Sequence, residues 1–380
     1  MIEIRKQGEM MKHISVLIKP ASSMCNLRCN YCFYANVSSL RDVRSYGKMT
    51  EDVAKKMIEN IYIDLEDGDE LTLAFQGGEP TMAGLNYFKN IAALTSQQKK
   101  HVRVHYAIQT NGMVINEKWC EFFKEHHFLV GLSIDGHPLY HDLNRVDPKG
   151  RGTFYRVLET KKLFDRYEID YNILCVLTNP LAKEGENVFR FLKEEEIDYV
   201  QFIPCLDELD SVEKSSYALT PNHFAAFYHQ MLTLWLEELK AGRYISVKLF
   251  DDLINLLVHQ QVSACGILGN CQVQYVIEAD GSVYPCDFYV LDEYRMGYIQ
   301  ENSLREMFTQ ETSKRFICER TALPQTCHSC IFQQMCGGGC KRMKDAVYVD
   351  EQGSCGYRQV LKEFIPKIEE ILRLLQGVRV

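Results

Sequence analysis

The chain has 380 residues, 46% of them hydrophobic, and a formal net charge of −8. It is long enough to bury one large core, or a core and a satellite domain. Its acidic balance and the lack of a long Lys/Arg run argue against a nucleic-acid partner. No apolar run is long enough to span a bilayer, and the charged N-terminus MIEIRKQGEMMKHI reads as neither a secretory signal nor a membrane anchor. The expected compartment is the cytoplasm.

In chain order, apolar or alternating runs predict strands at Ile14–Lys19, Leu71–Phe75, Val102–Ile108, Leu129–Ile134, Tyr171–Leu177 and Tyr199–Ile203. Helical periodicity predicts helices at about 51–65, 85–98, 116–126, 153–167, 185–196 and 221–241. Six β–α units in succession imply an α/β fold with a parallel sheet. Turn residues follow several strand ends: Gln76-Gly77-Gly78-Glu79-Pro80, Thr110-Asn111-Gly112 and Asp135-Gly136. Ligands of such folds bind beyond the carboxyl ends of the strands. Past about residue 255 the texture changes. Gln272–Ile277 and Ser282–Phe288 flank Ala279-Asp280-Gly281 as a hairpin, and little periodicity follows until a final helix at about 358–376. Two domains are expected, at 1–240 and 241–380.

The 15 cysteines are unevenly spread: three at 25–32, three at 120, 175 and 205, and nine within 265–355. Without an export signal, such clustered spacings point to metal or iron–sulfur ligation rather than disulfides. Metal–thiolate bonds also supply order to a segment poor in core, because a site present only in the folded state couples binding to folding. Cys25, Cys29 and Cys32 form Cys-x3-Cys-x2-Cys after the first strand. Three thiolates hold a four-iron cluster by three irons and leave the fourth open, and an open metal position marks a reaction centre. The alternative is a zinc knuckle with a fourth ligand from elsewhere.

The segment ASSMCNLRCNYCFY, with Tyr31 before the last cysteine, resembles the signature of the radical S-adenosylmethionine (radical SAM) enzymes. The resemblance implies a partial (β/α)6 TIM-type barrel and a [4Fe–4S] cluster whose open iron binds the amino and carboxylate groups of S-adenosylmethionine. One electron then cleaves the sulfonium to a 5′-deoxyadenosyl radical. Gly77, Gly78 and Glu79 resemble the family's loop for the cofactor's amino group, and Ser133 and Arg145 its carboxylate contacts. From the residues alone, glycines permit close backbone approach, Glu79 accepts from an ammonium, and Arg145 grips a carboxylate by two prongs or forms a surface salt bridge. Tyr34 is placed at the cofactor too.

The C-terminal cysteines form two runs, Cys265-x5-Cys271-x14-Cys286 and Cys327-x2-Cys330-x5-Cys336-x3-Cys340-x14-Cys355. Zinc is again the alternative on spacing. The runs resemble the SPASM extension of radical SAM enzymes, which implies two auxiliary [4Fe–4S] clusters and three clusters in all. On that pattern Cys265, Cys271, Cys286 and Cys340 hold one, and Cys327, Cys330, Cys336 and Cys355 the other. Full ligation suits both to carrying electrons. Cys120, Cys175, Cys205 and Cys318 remain without a role; Cys175 and Cys205 lie on or beside apolar strands as small hydrophobes.

From about residue 14 to 370 the chain most closely resembles the anaerobic sulfatase-maturing enzymes, above all in EADGSVYPCDFYVLD, with AFQGGEPT, QTNG and GLSIDG in support. The resemblance implies oxidation of a cysteine or serine in an unfolded sulfatase's Cys/Ser-x-Pro-x-Arg motif to Cα-formylglycine. It makes Asp287, directly after Cys286, the general base. A thiol pKa near 8.5 and an ordinary aspartate near 3.9 make full proton transfer uphill by about 6 kcal/mol. Either burial raises the aspartate, or deprotonation accompanies loss of an electron from the carbon radical to a nearby cluster; the second is favoured. Gln76 and Tyr34 are candidate peptide contacts, and a flavodoxin or ferredoxin-type protein the expected electron donor. Rival readings are a peptide maturase making thioether or carbon–carbon links and a non-catalytic iron–sulfur or zinc protein. Only 24 residues precede Cys25, too few for a maturase's leader-binding domain.

Overall fold

The computed structural model describes residues 3–6, 9–262, 264–319 and 322–377, with residues 3–6 and 9–11 described by their backbone alone. Eleven strands form one sheet: β1 Glu3–Lys6, β2 Glu9–Ile18, β3 Glu70–Phe75, β4 Arg103–Thr110, β5 Leu129–Ser133, β6 Tyr171–Leu177, β7 Tyr199–Pro204, β8 Ser246–Val247, β9 Val276–Ile277, β10 Ser282–Tyr284 and β11 Gly297–Tyr298. Their order is β11-β10-β9-β2-β3-β4-β5-β6-β7-β8, with β1 paired to β2. Strands β2 to β8 are parallel, each beside its sequence neighbour. The ends of the order do not meet, so the sheet is an open, partial barrel.

Helices return the chain between strands: α1 Phe33–Ser39, α2 Glu51–Ile63, α3 Leu85–Ser96, α4 Glu117–Glu125, α5 Pro138–Asn144, α6 Phe154–Tyr167, α7 Gly185–Glu194 and α8 Pro221–Lys240. Their starts are written locally. Thr50, Asn116 and Thr220 each accept from the backbone N–H three residues on, and Pro221 takes the first helical position after Thr220, where no N–H is needed. The barrel core lies between helices and sheet. Leu71, Leu73 and Phe75 of β3 are buried, and Phe75 packs edge-on against Phe88 of α3 at 5.0 Å between ring centroids. The alternate residues Glu70, Thr72 and Ala74 are only half-covered, as the period-2 pleat dictates.

All six predicted strands and six predicted helices form, with ends shifted by a few residues. The hairpin strand expected at Gln272–Ile277 is only Val276–Ile277. The final helix divides into Gly356–Phe364 and Ile368–Gly377 around a 3-10 turn at Ile365–Lys367, because Pro366 lacks the amide N–H that a continuous helix uses. Strand β9 runs parallel to β2, with Leu17 opposite Val276, so the hairpin extends the barrel sheet past its first strand. Between Cys265 and Cys355 the longest described helix has 8 residues.

Candidate active site

The site lies beyond the carboxyl ends of the parallel strands. β2 ends at Ile18, and Lys19 opens the loop carrying the three N-terminal cysteines. Cys32 is the N-cap of α1. The loop is tied down from elsewhere: Arg28 N–H donates to Val146 O at 2.8 Å, Asn30 N–H to Asn144 O at 3.1 Å, and Glu79 N–H to Met24 O at 2.8 Å. Asn111, at the end of β4, donates from Nδ2 to Asn26 Oδ1 at 2.8 Å and to Cys25 Sγ at 3.8 Å.

The two glycines after β3 allow close approach of the chain to itself. Gly78 has φ of +53°, and a Cβ there would lie 2.4 Å from Met24 O and 2.6 Å from Ser22 O. A Cβ on Gly77 would lie 2.5 Å from Lys19 Nζ. Glu79 is buried and accepts four donors: Thr81 N and Oγ1 and Thr110 Oγ1 on Oε1, and Asn111 N on Oε2. Burial raises its carboxyl pKa, opposed by those donors. Ser133 closes β5 on the same rim. Arg145 is buried rather than on the surface, and its Nε donates to Asp135 Oδ2 at 2.9 Å. Tyr31 donates its hydroxyl to the same oxygen. Arg145 is near enough to Cys29 to oppose the rise in that thiol's pKa.

Asp287 sits opposite Gln76. Lys19 Nζ pairs with Asp287 Oδ1, and Gln76 Nε2 donates to Oδ2 at 2.7 Å. Both carboxylate oxygens are therefore aimed by residues that directly follow β2 and β3. The Lys19 ammonium also lies 3.8 Å from the centre of the Tyr34 ring. Tyr34 donates its hydroxyl to Glu278 Oε1, which also accepts from Arg41 Nη1 at 2.6 Å. The side chains of Arg41 and Glu278 are wholly buried. Two cations and two carboxylates thus balance across one buried network. Sequence reasoning assigned no role to Lys19, Arg41, Glu278, Asp135 or Asn111. The available signal was a charge at the end of an apolar strand, at Lys19 and again at Glu278.

The C-terminal thiols gather as two groups. Cys265, Cys271 and Cys286 each feel Cys340 electrostatically. Cys327, Cys330, Cys336 and Cys355 line one cavity. Cys120, Cys175 and Cys205 are buried in apolar surroundings, and Cys318 is exposed. Among the described residues no three His, Cys, Asp or Glu side chains converge on the position of a single metal ion. Burial raises the Cys25 thiol pKa to about 11 and that of Cys29 to about 12, and it also raises Cys265, Cys271, Cys286, Cys327, Cys336 and Cys355. Burial raises Cys120, Cys175 and Cys205 in the same way, so grouping rather than pKa marks the donor set: three thiols on one loop, four around one cavity and three beside Cys340 fit iron–sulfur clusters.

A radical SAM superfamily model matches residues 20–202, and an iron–sulfur cluster-binding domain model matches residues 265–331. The cysteine-type anaerobic sulfatase-maturating enzyme of Clostridium perfringens (strain 13 / Type A) is 40% identical over 93% of this chain and 96% of its own. The serine-type enzyme of Bacteroides thetaiotaomicron is 28% identical over 91% and 87%. The solved structure of native anSMEcpe with bound AdoMet and Kp18Cys peptide superposes with a TM-score of 0.86 at 36% identity, covering 95% of this chain and 99% of that one. Fold and cysteine framework together define a radical SAM enzyme with an iron–sulfur-binding C-terminal extension. Within that class, the chain belongs to the anaerobic sulfatase-maturating enzymes.

Proposed function

We propose that this enzyme oxidises the Cβ of a cysteine in an unfolded sulfatase segment, Cys-x-Pro-x-Arg, to Cα-formylglycine, with Asp287 accepting the thiol proton. The observation that carries this reading is the Asp287 carboxylate, aimed by Lys19 and Gln76 at the strand-end rim and covalently next to Cys286. Serine is the second substrate; cysteine is put first because the cysteine-type relative is 40% identical and the serine-type one 28%.

In this reading Cys25, Cys29 and Cys32 hold the [4Fe–4S] cluster that binds S-adenosylmethionine. Cys265, Cys271, Cys286 and Cys340 hold one auxiliary cluster, and Cys327, Cys330, Cys336 and Cys355 the other. Gly77, Gly78, Glu79, Ser133, Arg145 and Tyr34 surround the cofactor, and Gln76 and Tyr34 meet the peptide. When bound, these groups supply the radical that removes the hydrogen atom and the sink for the remaining electron. The protein's own part is proton and position. Asp287 is held in place by the Lys19 ammonium and by Gln76, and the proton it accepts leaves together with the electron lost from the carbon radical. The substrate gives up a hydrogen atom, a proton and an electron, and a C=S bond forms that water hydrolyses to the aldehyde with release of sulfide.

The barrel domain is assigned residues 1–240 and the auxiliary-cluster domain 241–380, with β8 to β11 of the second joining the barrel's sheet. A flavodoxin or ferredoxin-type protein supplies electrons, and the enzyme works in the cytoplasm; among the described residues no helix is long and apolar enough to cross a membrane. The test is mass spectrometry of a Cys-x-Pro-x-Arg peptide incubated anaerobically with reduced enzyme and cofactor. A mass loss matching conversion of the thiol to an aldehyde supports the reading. An unchanged peptide alongside 5′-deoxyadenosine release refutes it.

A further inference from the structure

The cavity walled by Cys327, Cys330, Cys336 and Cys355 is also lined by Thr326 and Tyr357. The Tyr357 hydroxyl is buried with no hydrogen-bond partner, and so is Thr326 Oγ1. Tyr357 is 2% exposed, so solvent does not serve it freely. Its phenol lies within electrostatic range of Cys336, Asp252 and Cys355. A buried hydroxyl left unmade is unfavourable, and such groups in native proteins almost always have a partner. Both residues line the same cavity as the four thiols.

The local structure gives this hydroxyl a rigid mount. Cys355 is the N-cap of helix Gly356–Phe364, and its Sγ accepts from Arg358 N–H at 3.4 Å. Tyr357 therefore stands on the first turn of a helix whose cap is itself one of the four cysteines. Gly356 leaves no room for a side chain: a Cβ there would lie 2.3 Å from Pro221 O and 2.8 Å from Val347 O. The Tyr348 ring packs on Tyr357 at 5.3 Å between centroids. Backbone and ring are thus closely packed, and the hydroxyl is left without a hydrogen-bond partner.

We propose that Tyr357, seconded by Thr326, donates a hydrogen bond from its hydroxyl to sulfur of the cluster in this cavity and so makes that cluster easier to reduce. This rests on the reading that the four cysteines hold a cluster. Adding an electron raises negative charge on the sulfurs, and a fixed O–H donor favours the more negative state. The chain thereby tunes the second of its two C-terminal thiol groups through a side chain that is not a ligand.

The test uses the full chain, reconstituted anaerobically, with Tyr357→Phe and Thr326→Val made separately in a background where Cys25, Cys29 and Cys32 are alanine. Iron content and an EPR-monitored potentiometric titration are read together. The expected result is unchanged iron, one midpoint potential moved to a more negative value in each variant, more so for Tyr357→Phe, and the other potential unmoved. Loss of an exchangeable-proton coupling in pulsed EPR of Tyr357→Phe accompanies the shift. Full iron with both potentials unmoved overturns the proposal, as does iron loss in both variants. A failure of the underlying reading is separate: Cys327→Ser and Cys355→Ser would then leave iron content unchanged.

Discussion

Lys19, the residue after the first parallel strand, and Asp287, the residue after Cys286, form an ion pair across 268 positions of chain. The Lys19 side chain is wholly buried and that of Asp287 is 9% exposed. The pair joins the barrel's strand ends to the cysteine-rich extension at the residue proposed to take the substrate proton. Desolvated charges of this kind hold position well and tolerate loss of one partner badly.

Asp287→Asn keeps the shape of the side chain and removes its charge. Formylglycine formation is expected to fall by at least about 100-fold, in line with loss of a positioned proton acceptor. Cleavage of S-adenosylmethionine does not need Asp287 and continues. The check is the ratio of 5′-deoxyadenosine to product by liquid chromatography, expected to rise steeply above one. A ratio left near that of the wild type would remove Asp287 from the proton step. Lys19→Met leaves Asp287 buried without its cation and is expected to lower stability by about 3–5 kcal/mol.

Arg41 and Glu278 offer a second test of the network. Arg41→Met strands the Glu278 carboxylate, whose side chain is wholly buried. The expected destabilisation is about 3–5 kcal/mol in denaturant titrations, with partial recovery in the double variant Arg41→Met/Glu278→Leu, where no charge is left unpaired.

His141 makes stability depend on pH. It is fully buried, its Nδ1 accepts from Asp135 N–H at 3.2 Å, and its Nε2 lies 3.1 Å from Thr153 Oγ1. Burial lowers its pKa from 6.5 to about 4. Below pH 6.5 the unfolded chain takes up a proton that the folded chain refuses, so stability is complete above that pH and falls as pH drops toward 4. The loss from this group is about 3 kcal/mol. His141→Gln, whose amide does not titrate, is expected to show a shallower decline between pH 7 and pH 4.5 in denaturant unfolding.

Gly78→Ala forces a side chain into left-handed backbone and against two carbonyls of the cysteine loop. It is expected to cost about 1 kcal/mol or more and to lower occupancy of the N-terminal cluster specifically. Iron falls by about four per chain while auxiliary signals persist in EPR. Cys120→Ala and Cys205→Ala, at buried apolar positions, leave iron content unaltered.

What was readable from the chain beforehand is local. The six β–α units follow from periodicity, and Thr50, Asn116 and Thr220 mark helix starts within four residues of the groups they satisfy. Cys25, Cys29 and Cys32 announce themselves because candidate ligands on one loop must be close in sequence. Helix α1 escaped because it has only 7 residues and begins at the motif itself. Lys19 read as the polar end of a strand and Glu278 as part of a hairpin, since neither has its partner nearby in sequence; Asp135 read as a turn residue although Arg145 lies ten residues on, because nothing local shows that the two side chains meet.

The amino-acid order by itself determined the parallel α/β units and the close spacing of Cys25, Cys29 and Cys32, because periodicity and short spacings are properties of neighbouring residues. Tertiary structure alone decided that Asp287 meets Lys19 and Gln76, that Arg145 is committed through Nε to Asp135, and that β9 joins the sheet beside β2. The reason is physical. A buried charge must find an opposite charge wherever the fold brings one, and that choice is made in space, between segments more than 200 residues apart for Lys19 and Gln76 against Asp287.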